Sequence, residues 1–369
     1  MTGENNLYNL YHEIKNKIAP PDEKAYREAR KRWNEIAKPI GSLGLLEDII
    51  CDIAALTGNA DVDLSRKAVL IFCGDHGVTA QGVAQTGQNV TRIAAREMTK
   101  GRTAVCQMAA VAGCDVRVID MGMMKSPDNN NNNNNPDRKI IDCSVGNGTA
   151  DFTRGPAMTR KQAEQAMKNG MEIVRKARDE NINLIAVGEM GIGNTTAASA
   201  ITAVLLNLPA RDVTGRGAGL DSTGLERKIK AVEQGIYINQ PDRLDIIDIL
   251  SKIGGFELAG MCGAFLGAAI YKIPALIDGF PSAAAALCAV KFCPAVSKAI
   301  FASHVSAEPA GELLLNAMNQ ASLIRAGMRL GEGTGAVAVM PLLDMALSVY
   351  RNCYTFQEAN ITAYQDYNN

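Results

Sequence analysis

Residues 183–196 read Asn183-Leu184-Ile185-Ala186-Val187-Gly188-Glu189-Met190-Gly191-Ile192-Gly193-Asn194-Thr195-Thr196. The first five residues form a short apolar run of the kind found in parallel strands that are covered on both faces. The glycines from Gly188 onward predict a loop, and the small and aliphatic residues of Ala197–Leu208 predict a helix after it. A strand, a glycine loop and a helix in this order indicate an α/β protein with a mainly parallel sheet.

The loop after this strand has the composition of an anion-binding site. Free backbone N–H groups and the positive end of the helix dipole attract anions at a helix N-terminus, and Thr195 and Thr196 add hydroxyl donors. The loop does not match a dinucleotide fingerprint, because Thr196 replaces the third glycine of GxGxxG, and it lacks the Gly-Lys-Ser/Thr of a P-loop. A single phosphate is therefore a better candidate ligand than a pyrophosphate, and the alternative is a tight turn that binds nothing.

Apolar runs and helical periods alternate along the rest of the chain. Helices are predicted over Asp22–Ala37, Leu45–Leu56, Asn89–Ala112 and Ala163–Asp179, and strands over Lys67–Cys73, Asp115–Asp120 and Ala299–Ser303. The runs Ala259–Ala269, Ala275–Ile277 and Ala283–Cys288 continue the alternation. This order predicts a parallel sheet with helices on both faces, in which ligands bind beyond the carboxyl ends of the strands.

The composition excludes several classes of protein. Of 369 residues, 47% are hydrophobic and 21% are charged, which is typical of a globular protein, and the formal net charge of −1 argues against a nucleic-acid-binding surface. Residues 1–11 are polar and do not resemble a signal peptide. The longest apolar stretches, such as Phe265–Ile277, are too short for a membrane span. We therefore expect a cytoplasmic enzyme or binding protein.

The nine cysteines are scattered, without a CxxC pair, and the three histidines are dispersed. This distribution predicts reduced thiols, mostly in the core, and no metal site. One segment does not fit a packed fold: Asn129–Asn135 is a run of seven asparagines. It is expected to be a mobile surface loop, unless these letters are placeholders in the sequence.

A second acid between glycines lies near the C-terminus, in Met328-Arg329-Leu330-Gly331-Glu332-Gly333-Thr334-Gly335. The apolar run Ala336–Leu347 follows, so the glycines and threonine predict a turn that opens a helix. A carboxylate between two glycines is open to close approach by a ligand and is a candidate general base. The alternative is a solvated glutamate in a helix-entry loop.

Six motifs together resemble one known family. They are Lys38-Pro-Ile-Gly-Ser-Leu-Gly44, Gly74-Asp-His-Gly-Val78, Gly188-Glu-Met-Gly-Ile-Gly-Asn-Thr-Thr196, Gly215-Arg-Gly-Ala-Gly-Leu-Asp221, Ser303-His-Val-Ser-Ala-Glu308 and Arg329-Leu-Gly-Glu-Gly-Thr-Gly335. In this order, and from about residue 30 to about residue 360, the chain resembles the nicotinate-nucleotide–dimethylbenzimidazole phosphoribosyltransferases. That family makes the lower-ligand nucleotide of cobamides.

The resemblance implies an architecture and an assembly. The fold would be a Rossmann-like, mainly parallel sheet covered by helices, in an α/β catalytic domain of residues 61–339. A small helical domain would be built from both chain ends, residues 1–60 and about 340–369. The protein would be a homodimer, or a heterodimer with a paralogue, and it would need neither a metal nor a cofactor.

The resemblance also implies a reaction and its residues. Nicotinate mononucleotide would donate 5-phosphoribosyl to an aromatic acceptor such as 5,6-dimethylbenzimidazole, and nicotinate would leave with inversion at C1′. By motif match, Glu332 would be the general base and Glu189 would stabilise positive charge at C1′. The 5′-phosphate would be held by Gly191, Gly193, Asn194, Thr195, Thr196, Gly217 and Lys228.

The resemblance implies which residues form the acceptor pocket but does not decide which acceptor binds there. Gln88 and Ser306 would line it, Leu330 would pack on the ring, and Arg329 is expected to contact the ligand. Thr86 and Gly87 stand where the family usually has an aromatic residue and a proline. Because this removes stacking area, a benzimidazole, a purine or a phenol remains possible as the acceptor.

Three other interpretations are less consistent with the residues. A non-catalytic partner paralogue is disfavoured because Glu189 and Glu332 are both retained. An NAD-dependent oxidoreductase is disfavoured because the dinucleotide fingerprint is missing. In Gly74-Asp75-His76-Gly77, Asp75 is expected to order the loop rather than to form a catalytic pair with His76, since adjacent side chains at a strand end point apart.

Overall fold

The structure is a computed structural model that describes residues 12–125 and 139–364. The asparagine run Asn129–Asn135, for which a mobile loop was predicted, lies outside the described residues. Within the described ranges, no helix is both long and apolar enough to cross a membrane.

The centre of the fold is a parallel sheet of six strands in the order β3-β2-β1-β4-β5-β6. The strands are β1 (Lys67–Gly74), β2 (Cys114–Gly122), β3 (Ile141–Asp142), β4 (Leu184–Met190), β5 (Ala275–Ile277) and β6 (Ile300–Ala302). This is the order of a doubly wound nucleotide-binding sheet, in which the strand order reverses between β1 and β4. The predicted mainly parallel, Rossmann-like sheet is therefore confirmed.

Helices cover both faces of the sheet. In chain order they are α1 (Glu23–Glu35), α2 (Leu45–Thr57), α3 (Asn89–Thr99), α4 (Ala104–Ala112), α5 (Arg160–Asp179), α6 (Asn194–Leu206), α7 (Ala210–Val213), α8 (Ser222–Asn239), α9 (Ile246–Ile253), α10 (Phe256–Tyr271), α11 (Phe280–Phe292), α12 (Gly311–Ala317) and α13 (Thr334–Asn352). Residues 12–17 are also helical, and Gly77–Gln81 and Pro294–Lys298 form 3₁₀ turns.

Alternate residues of β1 point into two separate apolar cores. Leu70 and Phe72 belong to the core that also holds α5, α6, α10 and α11, whereas Val69 and Ile71 belong to the core with α1, α2 and α13. All eight residues of β1 are buried, as the apolar run predicted for a strand covered on both faces.

On the first face, α5 and α10 approach each other closely. A Cβ atom at Gly170 would collide with the backbone oxygen of Gly260, and one at Gly263 would collide with the backbone of Met167. These glycines allow the two helix backbones to pack in contact, and they hold α10 against the sheet behind the carboxyl ends of β1 and β4.

The helices α1 and α13, from opposite ends of the described chain, pack together on the second face. The rings of Trp33 in α1 and Tyr350 in α13 lie 5.0 Å apart, and Ile36 forms an antiparallel bridge with Thr355. The helix α13 runs unbroken across residues 339 and 340, where the two domains were expected to meet. The division into 61–339 and a helical domain from both ends stays a prediction.

Two of the predicted elements differ from the structure. The helix predicted over Asn89–Ala112 is two helices, because Gly101 has a φ of 75° and breaks the helix between α3 and α4. The predicted loop at Gly188 and Glu189 is still strand, since β4 pairs with β1 as far as Met190. Six of the nine cysteines are buried, which confirms that the thiols lie mostly in the core, and their reduced state stays a prediction.

Candidate active site

A cleft of about 240 Å³ lies beyond the carboxyl ends of β4, β5 and β6. Predicted site residues that line it are Thr86, Glu189, Gly191, Gly193, Asn194, Thr195, Gly217, Ser306, Arg329, Leu330 and Glu332. Three further predicted residues, Gln88, Thr196 and Lys228, are not part of this lining. The lining includes a glycine-rich anion cradle and two acids, of which Glu189 is hydrogen-bonded to the cradle residue Asn194.

The cradle is formed where β4 passes into α6. Gly193 is the N-cap of α6, with a φ of 99° that favours glycine, and Asn194 and Thr195 begin the helix. A Cβ at Gly193 would also press on His76 and Thr79, so glycine is needed there for two reasons. Asn194 N and Thr196 N donate to the backbone oxygens of Gly191 and Gly193, at 3.1 and 3.0 Å, so this helix start attracts an anion through its dipole and through the hydroxyl of Thr195.

Lys228 of α8 places a charge beneath the cradle. Its side chain is fully buried, and its Nζ donates to Thr195 Oγ1 at 2.8 Å and to the backbone oxygen of Gly215 at 3.1 Å. Burial lowers the pKa of Lys228 to about 8, and the nearby Glu308 carboxylate partly opposes that shift. The hydrogen bond orients the hydroxyl of Thr195, a residue that lines the cleft.

Glu308 stabilises the loop at Gly217, which forms another part of the cradle. Its Oε1 accepts a hydrogen bond from Gly217 N at 3.0 Å, and Gly217 has a φ of 53°. Its Oε2 is buried without a hydrogen-bond partner. The sequence motif that ends at Glu308 contributed to the family resemblance, but this tether to Gly217 was not predicted.

Glu189 is the inner acid of the cleft. It is 7% exposed, and the amide of Asn194 donates a hydrogen bond to its Oε2. Burial, together with the negative charge of Asp278, raises the pKa of Glu189 to about 8. Unless a cation lies beside it, this side chain therefore holds a proton at neutral pH.

Glu332 is the outer acid, and its backbone is unusual. Gly331, Glu332 and Gly333 have consecutive φ values of 84°, 60° and 83°, so a non-glycine residue lies in the left-handed region between two glycines. Glu332 N donates to the backbone oxygen of Glu189 at 3.1 Å, which brings the two acids together. Gly188 makes this contact possible, because a Cβ there would collide with the backbone of Gly333.

The environment of the Glu332 carboxylate favours the protonated form. Its Oε2 is buried and has no hydrogen-bond partner. Burial raises the pKa of Glu332, a backbone hydrogen bond from Val105 opposes the shift, and the charge of Asp278 adds to it. A carboxylate with a raised pKa and a free oxygen at a cleft is suited to accept a proton.

The sequence motifs did not identify Asp278 as a residue of the site. It directly follows β5 and is 2% exposed. Its Oδ2 accepts from Gly333 N at 3.0 Å, and its Oδ1 accepts from Gly335 N at 2.8 Å and from Ala336 N at 3.1 Å. A polar residue at the carboxyl end of a buried parallel strand is a signal that would have identified it.

The remaining wall of the cleft contains both polar and aromatic side chains. Thr86 and Ser306 are hydroxyl residues of this wall, and Phe280 at the start of α11 is an aromatic one. Leu330 is 58% exposed at the rim. Arg329 forms no hydrogen bond or ion pair with other described residues, which leaves its guanidinium available to a ligand.

Gln88, predicted to line the acceptor pocket, is not part of the cleft lining. Its Nε2 donates to the backbone oxygen of His76 at 2.7 Å. The His76 ring itself pairs with Glu257, with Nε2 and Oε1 2.6 Å apart and both side chains fully buried. The carboxylate of Asp75 accepts from Met124 N at 2.7 Å, so Asp75 orders the loop, as predicted, and does not pair with its neighbour.

Several known proteins are similar to this chain. A family model described as phosphoribosyltransferase matches residues 18–361. A nicotinate-nucleotide–dimethylbenzimidazole phosphoribosyltransferase of Acetivibrio thermocellus is 44% identical over 336 residues, which is 91% of this chain and 93% of that protein. A protein of the same name from Clostridium acetobutylicum is 40% identical over 344 residues, covering 93% and 96% of the two chains.

Solved structures agree with these relatives. The crystal structure of CobT from Thermus thermophilus has a TM-score of 0.85 to this chain at 37% identity, and the match covers 92% of this chain and 100% of that one. Sequence and structure thus point to the same group of proteins.

Proposed function

The chain belongs to the nicotinate-nucleotide–dimethylbenzimidazole phosphoribosyltransferase family, as its six motifs predicted, and we propose on that basis that its cleft transfers 5-phosphoribosyl from nicotinate mononucleotide to an aromatic acceptor such as 5,6-dimethylbenzimidazole. One observation supports the proposal above the others: an anion cradle and two acids with raised pKa values line the same cleft.

The donor would bind with its phosphate at the cradle. The hydroxyl of Thr195 supplies a donor, the N-terminus of α6 supplies the positive end of its dipole, and Lys228 supplies a positive charge behind them, with Gly217 lining the cleft beside them. This places the ribose toward Glu189. The cationic pyridinium of the donor favours the ionised carboxylate, so donor binding would release the proton that Glu189 holds in the free protein.

Transfer would then proceed by one displacement at C1′. An acceptor nitrogen forms the new bond to C1′, the bond from C1′ to the pyridinium nitrogen breaks, and its electron pair neutralises the leaving nicotinate ring. Glu332 takes the proton that the acceptor loses, and ionised Glu189 stabilises the positive charge that develops at C1′.

A turnover assay tests this function directly. The protein is incubated with nicotinate mononucleotide and a panel of benzimidazoles, purines and phenols, and free nicotinate and the ribotide are measured. We expect nicotinate to accumulate only when an acceptor is present. Absence of nicotinate with every acceptor, or turnover of NAD with a reducible substrate instead, would contradict the proposal.

The pH dependence of donor binding follows from Lys228. Because the pKa of Lys228 is lowered to about 8, its ammonium form predominates at pH 7 and is lost as the pH rises through 8. Raising the pH from 7 to 9 should therefore raise the ratio of the wild-type donor KM to that of Lys228→Met by about tenfold, because the titration of Glu189, which both chains share, cancels from this ratio. Initial rates at varied donor concentration measure this change.

The control uses a chain in which position 228 cannot titrate. Lys228→Met should have a high donor KM at pH 7, and the pH dependence that it keeps comes from groups other than residue 228. A ratio of the two KM values that stays constant from pH 7 to 9 would show that the Lys228 charge does not support phosphate binding.

Acceptor choice depends on the wall near Thr86. Thr86 lines the cleft where the family usually has an aromatic ring, so we expect relaxed acceptor preference. The double variant Thr86→Tyr with Gly87→Pro should favour dimethylbenzimidazole over phenol by about 0.5–1.5 kcal/mol, the scale of one aromatic pair. The measurement is the ratio of kcat/KM for the two acceptors, and an unchanged ratio would mean that neither position faces the acceptor.

Assembly is a separate part of the proposal. A homodimer, or a heterodimer with a paralogue, is expected from the family resemblance alone. Retention of both Glu189 and Glu332 at one cleft supports a catalytic subunit over an inactive partner.

A further inference from the structure

The backbone around Glu332 is held by a residue that does not line the cleft. Asp278 accepts hydrogen bonds from Gly333, Gly335 and Ala336, at 3.0, 2.8 and 3.1 Å. The first of these N–H groups belongs to the peptide bond that directly follows Glu332. Asp278 thus acts on the conformation of Glu332 through the main chain.

That conformation needs an external partner. Glu332 has a φ of 60°, which costs free energy for any residue with a Cβ, and the turn has no side-chain cap of its own at Gly333. Strained backbone persists only where surrounding contacts enforce it. Asp278 supplies those contacts, since its two oxygens use three N–H groups at the start of α13.

Asp278 is in turn fixed to the sheet. Its own N–H donates to Ser282 Oγ at 3.2 Å, and that hydroxyl donates to the backbone oxygen of Val187 in β4 at 2.7 Å. Glu189 follows two residues later on the same strand. A short chain of hydrogen bonds therefore sets the position of Glu332 relative to Glu189.

We propose that Asp278 is a positioning residue for the general base Glu332. The inference rests on the proposed function, in which Glu332 accepts the acceptor's proton. Asp278 is not a catalytic residue, because both of its oxygens are engaged with the start of α13 and it is absent from the cleft lining. Its negative charge also favours protonation of the base that it holds.

The test compares Asp278→Asn with wild type. The amide keeps the size of the side chain but loses the charge and one acceptor oxygen, so kcat should fall by about 10²-fold while the donor KM changes little. The acid limb of the kcat profile should move to lower pH, because the charge that helps to raise the pKa of Glu332 is gone. The charge of Asp278 also favours the protonated forms of Glu189 and His304, so their titrations should move in the same direction, and a shift that persists in a Glu332→Gln chain is assigned to them rather than to the base.

Two further variants separate positioning from general damage. Asp278→Glu keeps the charge but displaces the acceptor oxygens. We therefore expect kcat to fall while the acid limb of its pH profile stays at the wild-type pH. Asp245→Asn removes a similar cap, since Asp245 accepts from Ile247 N and Asp248 N at the start of α9, and it should leave kcat and its pH profile unchanged. Equal losses in Asp245→Asn and Asp278→Asn would overturn the proposal.

A double-mutant cycle connects Asp278 to the base. In a chain that carries Glu332→Gln, adding Asp278→Asn should lower kcat by less than about threefold, because the base is already absent. A further loss as large as in wild type would overturn the positioning role. If Glu332→Gln alone keeps full activity, Glu332 is not the general base and that part of the proposed function is wrong. This failure is recognised from the single variant, independently of any result with Asp278 variants.

Discussion

Glu332→Gln should lower kcat by roughly 10²–10⁴-fold and change the donor KM only slightly, which is the usual signature of losing a positioned base. The amide has nearly the same shape and can keep the hydrogen bond from the backbone N–H of residue 332 to Glu189, but it cannot accept the acceptor's proton. Steady-state rates with dimethylbenzimidazole, together with donor binding by calorimetry, measure the two effects separately.

A glycine variant controls for stability at the same position. Since φ is 60° at residue 332, Glu332→Gly relieves strain and should melt no lower than wild type, yet be as inactive as the amide. With phenol at high pH the loss should shrink, because that acceptor ionises by itself. A fully active Gln variant would remove Glu332 from the chemistry.

Lys228→Ala should raise the donor KM by about 10–100-fold, with a smaller change in kcat, because charged hydrogen bonds are worth about 1.5–3 kcal/mol and a remote phosphate contact mainly supplies binding. The change removes the ammonium beneath the cradle and releases the Thr195 hydroxyl that it orients. Donor titrations at pH 7 measure the KM.

Lys230→Ala is the matched control. Lys230 lies on the same helix but is exposed, so its loss should leave the donor KM within about twofold of wild type. Nicotinate riboside, which lacks the phosphate, should be used equally by wild type and Lys228→Ala. A riboside penalty as large as the nucleotide penalty would show that Lys228 does not act through the phosphate.

The parts predicted well from sequence are those with local signals. The apolar run before Gly188 predicts β4 because buried parallel strands are continuously hydrophobic, and the small and aliphatic run from Ala197 predicts α6, which begins three residues earlier, at Asn194. The two-glycine setting of Glu332 likewise singled out that residue, and the structure places it in the cleft with Glu189. Their catalytic roles remain predictions.

The parts that were missed depend on contacts between distant segments. Asp278 was overlooked because its three partners lie at the start of α13, far along the chain, and a lone aspartate after a short strand carries little local information. The buried pair of His76 and Glu257 joins a loop after β1 to the start of α10 for the same reason. The break between α3 and α4 was missed because one glycine within a helical period is usually tolerated.

The hydrogen bond between Glu332 N and the backbone oxygen of Glu189 also has a consequence for biosynthesis. The ribosome makes β4 and α6 long before it makes the turn at Gly331–Gly333, and this contact closes a very long loop of chain. The start of α6 is made early, whereas Glu308, which holds Gly217, and Glu332 are made only after β5 and β6. A nascent chain therefore cannot assemble the lining of this cleft until residue 332 has been synthesised.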